Sequence, residues 1–559
     1  MELDPQIAER RDYYRKKVID GRALSHLVKA GLTWLRTNQE IVNALNVFPV
    51  PDGDTGTNMI LTMQAAYDEI SNFEETSFSK TIQTIAHGAL MGARGNSGVI
   101  LSQIWRGFAR AVDNNDTLDA VAFAGGLSEA RETAYKGVVR PVEGTILTVI
   151  KDISHAAEEV ISEIHDPIQL LETIVNAAEE SVERTPELLD VLKEAGVVDA
   201  GGKGLFFILE GMLRYIDGQP LDKTIATVTP LSELILDESM ESIEPGQDWE
   251  VIVDFRCNQE LDINNFFSEL ESMGTSIQFG EGDSLYRLHI HVPDENYYLP
   301  ENYIKELGIV TRVAKENLVD QIESRRPAKQ ESEPEISPVE PGNIGVVAVV
   351  PGSGIAKIFA SMGVAAIVEG GQTMNPSTEE IISKFENLPT EKIIILPNNK
   401  NIYMAAKNAA ELSNKQVAVV PTKTIPQGLS AMLRLVPDGD FDKVVSEMNE
   451  AISEVETGEI TTSTRTVEID GVKARKGDII ALLNGRMVAA TENLEKTSLA
   501  LLEHANVQDY ELITLFYGDN VTLEEARQIE NAVRQKYPEH VIEMHEGRQP
   551  HYQFIFSIE

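Results

Sequence analysis

The chain has one cysteine, Cys257, in 559 residues. An intrachain disulfide is therefore excluded, and a reducing compartment fits. Positive charge is also scarce. Lys and Arg number 48 against 89 Asp and Glu, a formal net charge of −41. Nucleic acid and anionic membrane both need basic surfaces, so neither is expected as a broad electrostatic partner. No run of about 18 apolar residues occurs, so no membrane span is expected. Met1 to Asp20 is charged and polar, without the apolar core of a signal peptide. A cytoplasmic protein is the expectation. The hydrophobic share, 42%, is ordinary for a globular protein, and the length suits about three or four domains.

What is present centres on Asn46-Val47-Phe48-Pro49-Val50-Pro51-Asp52-Gly53-Asp54-Thr55-Gly56-Thr57-Asn58-Met59. Pro51 biases Val50 towards an extended backbone. After the two carboxylates, Met59, Ile60, Met63, Ala66 and Tyr67 recur at helical spacing. Asp52 and Asp54 thus sit in a stiff turn before a helix N-terminus, where free N–H groups and the helix dipole attract anions. Two acids beside a phosphate would repel it unless a divalent cation intervenes. Mg²⁺ takes such oxygen ligands together with substrate phosphates. A bare Asp-Gly-Asp also reads as an ordinary turn.

Two further loops have related chemistry. Gly92-Ala93-Arg94-Gly95-Asn96-Ser97-Gly98 lets the backbone approach a ligand closely and opens a helix at Val99. It is not a Walker A loop, because no Gly-Lys-Ser/Thr follows, and it reads equally as a helix–helix connection. Val198-Asp199-Ala200-Gly201-Gly202-Lys203-Gly204 is a second glycine-rich turn. With the Asp-rich string, these motifs resemble the nucleotide-binding subunit of the dihydroxyacetone kinase family. Within it they are most similar to the bacterial fatty acid kinase ATP-binding subunit. The resemblance covers nearly the whole chain.

Residues 1–19 read as a charged lead-in. Residues 20–222 are helical by periodicity, with Asp20 as an N-cap and Leu24, Leu27, Val28, Leu32 and Leu35 as the first apolar stripe. An all-α antiparallel bundle with its polar loops at one end is predicted. The resemblance implies a barrel of antiparallel helices with Mg-ATP across its mouth. It makes Asp52 and Asp54 the catalytic Mg²⁺ ligands. It places Thr55, Thr57, Asn58, Gly95, Asn96, Ser97, Gly98, Thr145, Asp199 and Gly201 at the nucleotide. Thr145 reads equally as an N-cap. Where the dihydroxyacetone branch has a further metal-binding aspartate, this chain has the neutral Asn46, as the fatty acid kinase branch does.

Residues 228–325 read as a small α+β domain, with strands at Trp249–Cys257 and Ser284–Val292. His289 and His291 alternate on one strand and so share a face. With Cys257 they supply three ligands for a tetrahedral zinc with one open position. Packing and surface account for the same residues. The resemblance implies a Cys/His/His zinc site at matching positions, and a homodimer contact in this domain. Residues 326–342, with Pro334, Pro338 and Pro341, read as a solvated linker.

From 343 to 559 strands and helices alternate, which predicts a doubly wound α/β domain. Gly352-x-Gly354 follows a strand, but Lys357 stands where a dinucleotide site needs a third glycine. Gly370–Ser377 and Asn398-Asn399-Lys400 sit at sheet ends, where ligands bind or where turns and caps form. The resemblance implies that this domain is similar to part of a DegV-like fatty-acid-binding partner protein, and that it docks the loaded partner.

The resemblance therefore implies an ATP-dependent kinase acting on the carboxylate of a fatty acid held by a separate protein, giving acyl phosphate for phospholipid synthesis. Two rivals stand beside it: a kinase for a small hydroxylated molecule such as dihydroxyacetone, and a nucleotide-sensing scaffold without turnover.

Overall fold

Among the described residues, ten helices follow the periodicity of the first 222 positions. They are α1 (Gly21–Thr37), α2 (Gln39–Ala44), α3 (Thr55–Asp68), α4 (Phe78–Met91), α5 (Gly95–Ala111), α6 (Ala120–Gly137), α7 (Ile146–Val160), α8 (Pro167–Leu188), α9 (Asp190–Ala195) and α10 (Ala200–Ile216). The computed structural model describes residues 14, 19–47, 53–71, 75–113, 115–138, 140–221, 229–230, 249–257, 266, 269–270, 272–282, 285–293, 296–317, 336–372, 374–463, 466–469 and 471–559. Residues 1–222 and 333–559 form one compact unit, and residues 223–332 form a second.

The predicted stripe on α1 is buried throughout, and Asp20 caps the helix by accepting from Ala23 N at 2.9 Å. Helix α1 runs antiparallel to α10: Gly211 abuts Ala30, Gly31 abuts Ile208, and Gly204 lies against Leu35. Helices α5 and α6 are likewise antiparallel, with Gly107 against Ala130 and Gly137 against Gln103. Glycine at these crossings lets the backbones meet more closely than any side chain would allow. The interior is apolar and holds Trp34, Met59, Met63, Phe78 and Ile82 at full burial. The result is the predicted all-α bundle of antiparallel helices. The N-termini of α3, α5, α7 and α10 share one end: Asn58 touches Gly95, Gly201 touches Ile146, and Met59 touches Gly204.

The second unit carries a five-stranded sheet in the order β1-β3-β4-β2-β5. Its strands are β1 (Thr229–Pro230), β2 (Trp249–Cys257), β3 (Thr275–Gly282), β4 (Leu285–Val292) and β5 (Gly308–Asn317), with helix α11 (Leu299–Leu307). Val251, Val253 and Phe255 alternate inwards and pack on Leu288 and Ile290.

The C-terminal region is α/β, but it is not one doubly wound sheet. Strands β6 (Ile344–Val350), β7 (Ala366–Glu369), β8 (Lys392–Leu396) and β9 (Gln416–Val419) form a parallel sheet in the order β7-β6-β8-β9. All seven residues of β6 are buried, as expected for a strand covered on both faces. The crossover helices are α12 (Ser353–Ser361) between β6 and β7, α13 (Thr378–Phe385) between β7 and β8, and α14 (Tyr403–Leu412) between β8 and β9. Helices α15 (Ile425–Met432) and α16 (Phe441–Ala451) lead out of this sheet.

A second, six-stranded sheet follows in the order β14-β13-β10-β17-β15-β16. It comprises β10 (Glu456–Thr462), β13 (Ile479–Leu483), β14 (Arg486–Thr491), β15 (Leu512–Tyr517), β16 (Val541–Glu546) and β17 (Phe554–Ile558). A separate hairpin pairs β11 (Val467–Ile469) with β12 (Val472–Ala474). Helices α17 (Leu494–His504) and α18 (Leu523–Lys536) pack beside the six-stranded sheet. One pairing in this sheet has a local cause. Asn484 and Gly485, between β13 and β14, both have positive φ, 50° and 80°. That is the two-residue turn of an antiparallel hairpin, and parallel strands cannot be joined so briefly. Among the described residues of this sheet, only β15 and β16 pair in parallel.

The helical region and the parallel sheet share a core. Ala93 and Val99, at either side of the Gly95 loop, are buried in one cluster with Val347, Val349, Ile381, Phe385, Ile402 and Ala406.

Candidate functional site

The acidic turn is built from α3 outwards. Gly53 takes φ +68°, a conformation that favours glycine, and Asp54 then takes the cap position of the helix without using its side chain for a cap bond. Asp54 is only 8% exposed. Its Oδ2 accepts a hydrogen bond from Asn375 Nδ2 at 2.6 Å. Asn375 lies in the loop between β7 and α13, at the carboxyl edge of the parallel sheet. Asp52 lies outside the described residues.

The N-terminus of α3 is not the free anion site that the sequence suggested. Asn43, on α2, spans it from the side. Its Oδ1 accepts from Gly56 N at 2.8 Å and Thr57 N at 3.3 Å. Thr57 Oγ1 in turn accepts from Gln39 Nε2 at 3.0 Å and Asn43 Nδ2 at 3.3 Å. Two orphan amides of the first turn are thereby satisfied within the fold. Thr55 and Asn58 are buried beside them.

The glycine loop packs on this turn. Gly95 has φ +56°, and a Cβ there would stand 2.6 Å from Asn58 Nδ2. Glycine is required on both counts. A Cβ on Gly98 would meet Thr62 Oγ1 at 2.4 Å. Ser97 sits half-buried in the first turn of α5, and among the described residues no side chain caps that helix. Its first-turn amides contrast with those of α3, α7 and α10, all of which receive side-chain acceptors.

Asn96 Nδ2 donates to Asn401 Oδ1 at 3.1 Å. Arg94 crosses to the same domain, donating to Asn375 O at 3.0 Å and pairing with Glu380 at 2.9 Å. The structure therefore brings Asp54, Asn58, Gly95, Asn96, Ser97 and Gly98 to one place. It adds Asn375, Arg94 and Asn401 from beyond the predicted set.

Thr145, Asp199 and Gly201 make contacts within the scaffold. Thr145 Oγ1 accepts from Leu147 N at 3.3 Å and donates to Val142 O at 2.7 Å, the N-cap alternative. Asp199 caps α10, accepting from Gly202 N at 2.7 Å. Burial pushes its carboxyl up to about 6, against backbone donors from Gly202 and Ile146 that favour the charged form. Gly201 lies against Ile146, and a Cβ there would stand 3.3 Å from the isoleucine Cβ. These three residues join the starts of α7 and α10.

The zinc expectation is corrected by the strand register. Ile252 pairs with His289 and Glu250 with His291. Cys257 is five residues further along β2, opposite Gly308 of β5. At about 3.3 Å per residue that is roughly 16 Å from the level of His289, far beyond any zinc bond. The face is wrong too. Cys257 shares the parity of the inward Val251, Val253 and Phe255, whereas His289 shares that of Ile252. Burial pushes the Cys257 thiol up. The side chain of His289 lies outside the described residues. Among the described residues no group of three His, Cys, Asp or Glu could hold a metal.

Asn43 and Asn375 were missed because an isolated asparagine carries no spacing signal. Asn375 did lie in a loop marked by its place at a sheet end. No helix among the described residues is long and apolar enough to cross a membrane.

Comparison with known proteins agrees with this layout. Residues 345–559 match the model of the FakA-like fatty acid kinase C-terminal domain, and residues 49–214 match the DAK2 domain. Protein YloV of Bacillus subtilis is 39% identical over 558 residues, covering 97% of this chain and all of that protein. An uncharacterized protein of Staphylococcus aureus USA300 is 36% identical over 550 residues, covering 97% and 99%. Among solved structures, the dihydroxyacetone kinase of C. freundii in complex with AMP-PNP and Mg²⁺ aligns with 34% of this chain and 33% of its own, at 16% identity and TM-score 0.28. The Streptococcus pneumoniae fatty acid kinase B3 protein, loaded with linoleic acid, aligns with 39% and 99%, at 10% identity and TM-score 0.28. Likenesses this slight carry no functional weight.

Proposed function

The chain belongs to the FakA-like fatty acid kinase family, and on that premise we propose that it phosphorylates the carboxylate of a fatty acid from ATP and Mg²⁺. The fatty acid is presented by a separate DegV-like binding protein, and the product is an acyl phosphate. The observation that carries the reading is the meeting of Asp54, Asn58 and the Gly95–Gly98 turn at one end of the helical bundle.

Phosphoryl transfer asks the protein for positioning and charge neutralisation more than for covalent chemistry. The fit to Mg²⁺ is chemical: the Asp54 carboxylate is enclosed, the Asn375 amide stands against it, and the side-chain oxygen of that amide is buried without a partner. Asp52 and Asp54 would hold the cation, which supplies neutralisation of the ATP phosphates. Thr55, Thr57 and Asn58 support that turn. The uncapped first turn of α5 and the Ser97 hydroxyl hold the phosphate tail. The fatty acid carboxylate is ionised at neutral pH. Its oxygen attacks the γ-phosphorus, the bond to the β–γ bridging oxygen breaks, and ADP leaves with that electron pair. No general base is needed, which accords with a site whose described residues include no histidine. The C-terminal α/β domain docks the acyl carrier, and the middle domain provides a homodimer contact.

The test is transfer of label from γ-labelled ATP, with Mg²⁺, to a fatty acid loaded on a lipid-binding protein from the same source. A hydroxylamine-sensitive acyl phosphate that needs every component is the expected result. Asp54→Ala should lower the rate at least a hundredfold while the fold persists. Wild-type turnover by that variant would sink the assignment.

A further inference from the structure

The acidic turn is completed from the other end of the chain. Asn375 is 3% exposed, and its Nδ2 stands 2.6 Å from Asp54 Oδ2. The loop that carries it is held on several sides. Gly371 N donates to Met374 O at 3.0 Å. Arg94 grips the Asn375 carbonyl and Glu380 together. Ser377 and Glu380 close a reciprocal cap on α13 immediately afterwards. A side chain supported in this way presents a fixed geometry.

The other end of the same amide is unused. Asn375 Oδ1 is buried and has no hydrogen-bond partner. Such atoms are rare in folded proteins, and each asks for a missing partner. Nδ2 and Oδ1 belong to one planar amide, so the orphan acceptor lies beside the Asp54 carboxylate. The residue type is also informative. A lysine or arginine here would neutralise Asp54 and discourage a cation. A second carboxylate would be repelled whenever the cation was absent. An amide satisfies Asp54 with its N–H, leaves the negative charge in place, and keeps one oxygen free.

We propose that Asn375, supplied by the C-terminal α/β domain, is a positioning residue of the divalent-cation site: its Nδ2 orients Asp54 and its Oδ1 is an oxygen acceptor for the hydrated cation. Mg²⁺ commonly keeps several of its waters, so such acceptors matter to it. The inference rests on the reading of Asp54 as a cation ligand. It adds that the kinase site is shared between two domains far apart in sequence.

The experiment uses the full chain and three proteins: wild type, Asn375→Ala and Asn375→Asp. Binding of a non-hydrolysable ATP analogue is titrated at stepped Mg²⁺, and the melting temperature is read with and without Mg²⁺ alone. Removing a residue that orients a metal ligand costs on the order of tenfold in metal affinity. Asn375→Ala should therefore raise the Mg²⁺ midpoint about tenfold and shrink the melting rise caused by Mg²⁺. Asn375→Asp should melt lower than wild type without cation and gain more from Mg²⁺ than wild type does. If both variants only melt lower, with the wild-type Mg²⁺ midpoint and melting rise, the residue is packing and the proposal is overturned. If Asn375→Ala does not fold, Asn375→Asp alone decides by the same two readouts. Wild-type nucleotide binding that ignores Mg²⁺ overturns the proposal together with the reading beneath it. A Mg²⁺-dependent wild type with unaltered variants overturns the proposal alone.

Discussion

At the scale of single residues, polar side chains at the shared end divide into those bonded within the fold and those, such as Asn375, that keep a buried acceptor without a partner. Asp199 belongs to the first group. It is buried, it caps α10, and its carboxyl is pushed up to about 6 from an ordinary 3.8. The folded protein thus keeps a proton that the unfolded chain has released. Stability from this group is fully present below about pH 4 and is lost as pH rises through about 6, by at most about 3 kcal/mol. Asp199→Asn keeps an oxygen for Gly202 N and removes the titration. The difference in unfolding free energy between the two proteins, followed from pH 4 to 7 by denaturant melts, should show the variant gaining on the wild type as pH rises. A constant difference would refute the buried titration. The sequence marked Asp199 through its glycine-rich surroundings but not its task, because caps and ligand contacts use the same residue types. Asp54, Asn58 and Gly95 were legible as a group through the family resemblance; the residues alone marked two separate stiff or glycine-rich turns, and nothing local joined them. Asn375 was not legible as their neighbour, since nothing local records which residue will face it.

At the scale of elements, helix periods were readable throughout residues 20–222, while helix ends were less so. The apolar stripe of α1 dictated both its existence and its buried face. The start of α3 was misjudged, because Asn43 reaches it across a loop that no pattern predicts. Asn43→Ala would strip acceptors from Gly56 N and Thr57 N. A loss of about 1–2 kcal/mol in a urea melt is expected, the usual cost of a lost N-cap. An unchanged midpoint would mean that those amides find other partners. Strand pairing was the hardest element to read. Alternation gives residues 289 and 291 one parity on β4, but only the β2–β4 register reveals that Cys257 has the other parity and stands five residues from the level of His289. A one-residue slip would have reversed that relation, and nothing in the strands' own composition fixes the register. The Asn484-Gly485 turn is a hairpin signal that went unread, and it accounts for the antiparallel pairing of β13 with β14.

At the scale of the molecule, alternation of strands and helices was enough to identify the C-terminal region as α/β, but not to show that it shares a core with the helical bundle. Ala93 and Val99 are small apolar residues beside a glycine loop, and their sequence context resembles that of any helix start. Burial with Val347, Phe385 and Ile402 identifies them as joint residues. A charge at Val99, which is 1% exposed, has no partner there. Val99→Asp should cost about 3 kcal/mol or more. Calorimetry should then show the transition of the unit formed by residues 1–222 and 333–559 dividing into two. A single undivided transition would indicate that the two regions do not unfold separately even when their shared core is broken.

The bond between Asp54 and Asn375 spans 321 residues of chain. During translation, at about 5–20 residues per second, roughly a quarter of a minute to a full minute separates the synthesis of its two ends. The helical bundle can complete its local contacts in that interval, but its acidic turn stays open until the parallel sheet has been made. A nascent chain ending before residue 375 would therefore carry the Gly95 loop and Asp54 without the Asn375 amide beside them. Formation of the parallel sheet, rather than folding of the helical bundle alone, is the step that sets the Asn375 amide against Asp54.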